Sequence, residues 1–211
     1  MDETNDCNGF SHLMPVIAKD IANGLNYLHH KGIVHRDIKT ASVLVSNQHY
    51  NAIEDKDKLF IEFNKKPITC KLSDFGKSRS CEVQTRTLVC TKTANVDRGT
   101  PAYMAPETIL SSDVNMEAGI EDLKKIDVWA YGMVLFKICN PHIRYPYYLD
   151  VKNSKDNLKA MRTFIKEGRR PTSDSKYECL HSKEWKLLLE LYNTCTTFKA
   201  IERPSIQEIR K

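Results

Sequence analysis

From Val128 to Phe136 the chain reads Val-Trp-Ala-Tyr-Gly-Met-Val-Leu-Phe, bounded by Asp127 and Lys137. Residues 126–138 are apolar on almost every side, so an ordinary surface helix with one wet face is excluded; the segment must be a helix buried all round. It is too short, and its flanks too charged, to cross a membrane. The rest of the chain therefore has to wrap around this helix, and 211 residues with 41% hydrophobic composition are enough for one compact domain.

Other segments supply the wrapping. Pro15 suits the first turn of a helix, and Ile17, Ile21, Leu25 and Leu28 recur at helical spacing until Gly32 ends the pattern. Trp185, Leu188, Leu189, Tyr192 and Cys195 repeat that spacing behind Ser182, a suitable cap, and Pro204 suits the start of a last helix. Val43-Leu44-Val45 and Thr69 to Ser73 are short and β-branched and read as two small strands. The polar stretches 46–69, 77–98 and 111–124 read as loops; within the first, Leu59, Ile61 and Phe63 alternate, as in a small hairpin or docking edge, or simply pack locally. The expected fold is mainly α: a helical bundle with a few short β-strands.

Composition removes several function classes. The net charge of +5 comes from scattered pairs, Lys65-Lys66, Lys124-Lys125 and Arg169-Arg170, among acidic residues, which describes a solvated surface and not a nucleic-acid-binding stripe. The seven cysteines are an odd number with no C-x-x-C pair, and no H-E-x-x-H occurs. Free thiols in a reducing cytoplasm are expected. The polar start Met1-Asp2-Glu3-Thr4 lacks the features of a signal peptide, and no membrane partner is expected.

Three strings carry chemistry. His35-Arg36-Asp37-Ile38-Lys39 lies between the first helix and a strand, where a loop is held at a rigid rim. Transfer of a phosphoryl group to an alcohol needs a carboxylate to orient the hydroxyl and take its proton, as Asp37 could, and a cation beside the migrating charge, as Lys39 could. Taken alone, such a short string is more often a solvated loop. Asp74-Phe75-Gly76 follows the second strand and offers a hard oxygen ligand for Mg²⁺, with Gly76 permitting an unusual backbone angle; the bland reading is a turn whose aspartate bonds its own backbone. The third is Gly99-Thr100-Pro101-Ala102-Tyr103-Met104-Ala105-Pro106-Glu107, followed by Asp127-Val128-Trp129 and Glu202-Arg203-Pro204.

In this order the strings resemble the motif set of the eukaryotic protein kinase domain over essentially the whole chain. Lys39 two places after Asp37, and the run Gly99 to Met104, resemble the serine/threonine type and its tyrosine-kinase-like branch. The resemblance implies ATP and Mg²⁺ as cofactors and a protein substrate presenting Ser or Thr. It assigns Asp37 as catalytic base, Lys39 as the phosphate-contacting lysine, Thr100 as the substrate-loop threonine and Asp74 as the metal aspartate. His35 and Asp127 would brace the catalytic loop, with Phe75 and Gly76 completing the metal loop. Glu107 would pair with Arg203, and Arg36 would await a phosphate placed by an upstream activating kinase on Ser78, Ser80, Thr85, Thr87, Thr91 or Thr93.

The sequence departs from the family in three ways. No Gly-rich phosphate loop or V-A-I-K strand lysine precedes Pro15, so residues 1–211 are expected to form the C-terminal lobe alone, inactive by itself. Ser42 stands where the family has the asparagine that holds a second magnesium ion, and should bind it weakly or through a water. The stretches 46–69 and 111–124 look like surface insertions. A non-catalytic pseudokinase or docking module is therefore the competing expectation.

Overall fold

The computed structural model describes residues 11–50, 52–80, 100–111, 119–174 and 183–210. Helix α1, Met14–His30, takes Pro15 in its first turn and buries Ala18, Ile21, Ala22, Leu25, Leu28 and His29. It stops where Gly32 adopts φ 65°, a left-handed angle that costs glycine little, and donates its N–H to His29 O at 3.1 Å. Strands β1 (Ile33–Val34) and β2 (Val43–Ser46) follow, then α2 (Lys56–Lys65), β3 (Thr69–Leu72) and β4 (Arg79–Ser80). Helices α3 (Pro106–Ser111), α4 (Ile120–Cys139), α5 (Tyr148–Val151), α6 (Asn157–Lys166), α7 (Lys183–Cys195) and α8 (Ile206–Ile209) complete the order. The strands form two antiparallel pairs, β1 with β4 and β2 with β3, the latter running from Val43 opposite Leu72 to Ser46 opposite Thr69.

Helix α4 is the centre. Every residue from Asp127 to Phe136 is buried, and α7 is the helix packed most extensively on it. Gly132 allows that approach, because a Cβ there would lie 2.7 Å from Thr196 Cγ2 and 2.9 Å from Cys195 Cβ. On the other side, Tyr131 donates its hydroxyl to Ala18 O of α1 at 3.0 Å. The β2–β3 ribbon is tied to α1 by Asp20, whose carboxylate accepts from Cys70 N at 2.8 Å and Lys66 Nζ at 3.1 Å.

Two expectations drawn from the sequence need correction. Residues 56–65 are helix α2 and not a loop or hairpin: Asp55 caps it, accepting from Asp57 N at 2.9 Å and Lys58 N at 3.1 Å. The alternation of Leu59, Ile61 and Phe63 was misleading because Phe60 fills the gap; Phe60, Ile61 and Phe63 stand largely exposed, with Phe63 beside the Tyr50 ring. The polar stretch 111–124 also contains structure, since α4 begins at Ile120, where Gly119 N donates to Asp122 at 3.0 Å. Ser182 and residues 112–118 lie outside the described residues. Helix α8 starts just after Pro204, with Ser205 and Glu208 capping one another.

Among the described cysteines, Cys70, Cys139 and Cys195 are buried free thiols. No helix among the described residues is long and apolar enough to cross a membrane.

Candidate active site

The buried helix α4 delivers the side chain that shapes the loop bearing Asp37. Asp127 is fully buried, and its Oδ1 accepts from Arg36 N at 2.7 Å while Oδ2 accepts from His35 N at 2.8 Å and His29 Nε2 at 3.0 Å. A charge in that position is costly unless hydrogen-bonded throughout, and these donors meet the demand. They also hold Arg36 at φ 68°, a left-handed angle disfavoured for any residue with a Cβ. His35, likewise buried, donates from Nε2 to Ser73 O at 2.9 Å and accepts from Asp37 N on Nδ1 at 3.4 Å. A carbonyl only accepts and a backbone N–H only donates, which fixes the tautomer with its proton on Nε2. The ring also lies 5.1 Å from that of Phe75. The loop bearing Asp37 and the loop bearing Asp74 are thus joined through His35.

Asp37 sits at the meeting point. Its Oδ2 accepts from Lys39 Nζ at 2.8 Å and Lys77 Nζ at 2.9 Å, and its Oδ1 from Thr100 N at 3.1 Å and Thr100 Oγ1 at 3.2 Å. Burial pushes the carboxyl up, but the hydrogen bonds and charges of Lys39 and Lys77 together outweigh it, leaving Asp37 below the usual carboxylate range. The hydrogen bond with Asp37 holds Lys39 above the usual lysine range against the opposing effect of burial. Lys39 Nζ also lies 3.5 Å from Asp74 Oδ2, so one ammonium bridges the two carboxylates.

Asp74 itself is about half exposed and adopts φ 64°. The unusual backbone angle thus falls on the aspartate and not on Gly76, which has no positive φ. That twist turns a carboxylate outward beside a lysine, and the exposed oxygens suit a hard cation such as Mg²⁺. Ser42 faces the other way. It is fully buried, donating from Oγ to Lys39 O at 2.8 Å and accepting from Lys39 N at 3.0 Å, while its carbonyl accepts from Ser73 N at 2.9 Å and Ser73 Oγ at 3.2 Å. In this conformation Ser42 closes the loop and ties it to the end of β3, and presents no exposed oxygen to a cation.

Glu107 and Arg203 meet away from this cluster, at the base of α3, with Nη1 to Oε1 at 2.6 Å and Nη2 to Oε2 at 2.8 Å. Ser78 Oγ reaches His35 O at 3.5 Å and Ser80 lies in β4; Thr85, Thr87, Thr91 and Thr93, and also Gly99, fall outside the described residues.

Two participants were missed in the sequence. Lys77 was one of several basic residues between Asp74 and Glu107, and nothing in its spacing distinguishes it from Arg79. His29 was one of two histidines closing α1; its burial at 7% exposure against Asp127 depends on α4 arriving from 98 residues away. The helical phase placing position 29 on the face of Leu25 was the one available signal.

The protein kinase domain family model matches residues 10–211. The chain is 27% identical over 195 residues to the serine/threonine-protein kinase pakE of Dictyostelium discoideum, covering 92% of this chain and 16% of that protein. It is 29% identical over 198 residues to the MAP kinase kinase kinase mkh1 of Schizosaccharomyces pombe, covering 93% of this chain and 14% of that protein. A dual serine/threonine and tyrosine protein kinase of Takifugu rubripes is 25% identical over 196 residues, covering 92% of this chain and 17% of that protein. The chain thus spans less than a quarter of the length of these relatives. With the family model spanning nearly its whole length, the chain belongs to the protein kinase domain family.

Proposed function

We propose that this chain is the C-terminal lobe of a serine/threonine kinase catalytic domain of the tyrosine-kinase-like branch, and that the whole protein transfers the γ-phosphate of ATP to Ser or Thr of protein substrates. The observation that carries this reading is the cluster of Asp37, Lys39 and Asp74: a buried carboxylate held ionised by an ammonium, beside a second carboxylate turned to solvent. Asp37 orients the acceptor hydroxyl and takes its proton. Lys39, already between the two carboxylates, holds positive charge where the phosphoryl group passes. Asp74 is the residue that would hold Mg²⁺, which supplies charge neutralisation for the phosphates when bound. Lys39 two places after Asp37 and the run through Met104 support the branch and the hydroxyl specificity.

The test is phosphate incorporation into a generic Ser/Thr protein substrate by the whole protein with ATP and Mg²⁺, with Asp37→Asn as control. Transfer that disappears in Asp37→Asn is the expected result. The inward-turned Ser42 hydroxyl favours a second reading, a non-catalytic docking module. Parent and Asp37→Asn both inactive, in a protein that folds, would establish it in place of the first.

A further inference from the structure

Asp37 has no acceptor position to spare. An ionised carboxylate offers about four lone-pair sites, and the ammoniums of Lys39 and Lys77 and the amide and hydroxyl of Thr100 supply a donor for each. The residue is only 4% exposed, so a hydroxyl that is to donate to it must displace one of these donors. They do not yield equally. The two Thr100 donors belong to one residue, whose carbonyl in turn accepts from Tyr103 N at 2.9 Å as a helical turn begins. Lys39 is 21% exposed and has a second carboxylate, Asp74, to hold it in place. Lys77 is 37% exposed, sits on a flexible four-carbon stem, and has Asp37 as its one carboxylate partner among the described residues.

Building on the phosphotransfer reading above, we propose that Lys77 is the gate of this site: its ammonium occupies the position on Asp37 Oδ2 that the acceptor hydroxyl must take, and its departure admits the substrate. The gate acts on binding and not on the chemical step. A protein whose competent state is only partly populated binds its ligand more weakly by that fraction, so removing the occupant lowers KM and leaves kcat nearly unchanged. With Lys77 gone the buried Asp37 carboxylate still keeps the Lys39 ammonium and both Thr100 donors, so the loss of the Lys77 charge leaves the fold intact.

Two measurements test this. The first needs no activity: in the 211-residue chain, the rate at which a water-soluble succinimidyl ester acylates Lys77 is compared with that at Lys71, an exposed lysine of β3. Lys77 is expected to react several-fold more slowly than Lys71 and to catch up in Asp37→Asn. Equal rates in the parent, or protection that survives Asp37→Asn, overturn the contact and the gate with it. The second is steady-state phosphotransfer by the whole protein carrying Lys77→Met, where KM for the protein substrate is expected to fall by about fivefold with kcat preserved. An unchanged or higher KM overturns the gate while the kinase reading stands, and a fall in kcat would make Lys77 a catalytic cation instead. Absence of transfer from both parent and variant overturns the phosphotransfer reading, and the gate with it, even where labelling shows Lys77 protected.

Discussion

Arg203 places its guanidinium against the Glu107 carboxylate in a two-on-two geometry, and every other N–H it owns is also spent. Nε donates to Thr197 O at 2.8 Å, Nη1 to Lys125 O at 3.0 Å and Nη2 to Phe198 O at 3.0 Å, while the guanidinium carbon lies 4.9 Å from the centre of the Trp129 ring. One side chain thereby joins α3, the central helix and the turn before α8. The Arg203 side chain is fully buried, whereas that of Glu107 keeps 32% exposure. Removing the arginine strands three carbonyls and a carboxylate, but water can reach the carboxylate. Arg203→Ala should therefore cost about 3 kcal/mol, near the low end for breaking a buried pair. Chemical denaturation checks this, and an unchanged midpoint would refute it.

Gly132→Ala should destabilise the chain although alanine is the better helix former. The gain in propensity is about 1 kcal/mol, but the added methyl would have to sit 2.7 Å from Thr196 Cγ2 and 2.9 Å from Cys195 Cβ. Forcing α7 away from α4 costs about 1–3 kcal/mol. A net loss of about 1 kcal/mol is expected, read as a lower thermal midpoint. A higher midpoint would mean that α7 shifts without cost.

Alkaline pH should weaken the fold through its thiols. Burial pushes Cys70 up to about 11 and Cys139 and Cys195 up to about 12, from an ordinary value of 9.0. The folded state therefore keeps protons that the unfolded state releases. That stabilisation is fully present below pH 9 and is lost as pH rises towards 11–12, at up to about 1.4 kcal/mol per pH unit for each titrating thiol. Urea midpoints measured from pH 8 to 10.5 should fall progressively, and a flat profile would contradict the burial of these groups.

Ser42 separates structure from chemistry. Ser42→Ala should cost about 1–2 kcal/mol, because Lys39 N–H and C=O both lose their side-chain partner in a buried place. Ser42→Asn, whose side chain reaches further, should let the whole protein transfer phosphate at lower Mg²⁺, by about tenfold, worth about 1.4 kcal/mol. A magnesium titration of both proteins decides this; identical curves would show that position 42 takes no part in cation binding.

The 211-residue chain by itself should bind ATP with Mg²⁺ weakly, with dissociation constants above about 1 mM, since Lys39 is already held between two carboxylates and Asp74 stands about half exposed to water. Micromolar binding by calorimetry would contradict this.

Much of the scaffold was legible in the residues because it rests on local periodicity. The apolar run around Trp129 required a helix buried all round; the spacing of Ile17, Ile21, Leu25 and Leu28 required an amphipathic one, and Pro15 and Gly32 marked its ends. Helix α2 was not legible, because its exposed Phe60, Ile61 and Phe63 do not form the one-sided stripe that a packed helix shows. The motifs named the residues that carry charge and one pair among them, Glu107 with Arg203, but not the donors that gather on Asp37 and Asp127. Local sequence determined that Asp37, Lys39, Asp74 and Asp127 would be present, and at which ends of helices and strands they would stand. Only the tertiary structure decided that Lys77 closes on Asp37, that Ser42 turns inward to Lys39 and that His29 shares Asp127 with the backbone of His35 and Arg36. The reason is physical: a buried carboxylate must gather donors wherever the packed chain brings them within about 3 Å, and that choice is made across the fold, not along the sequence.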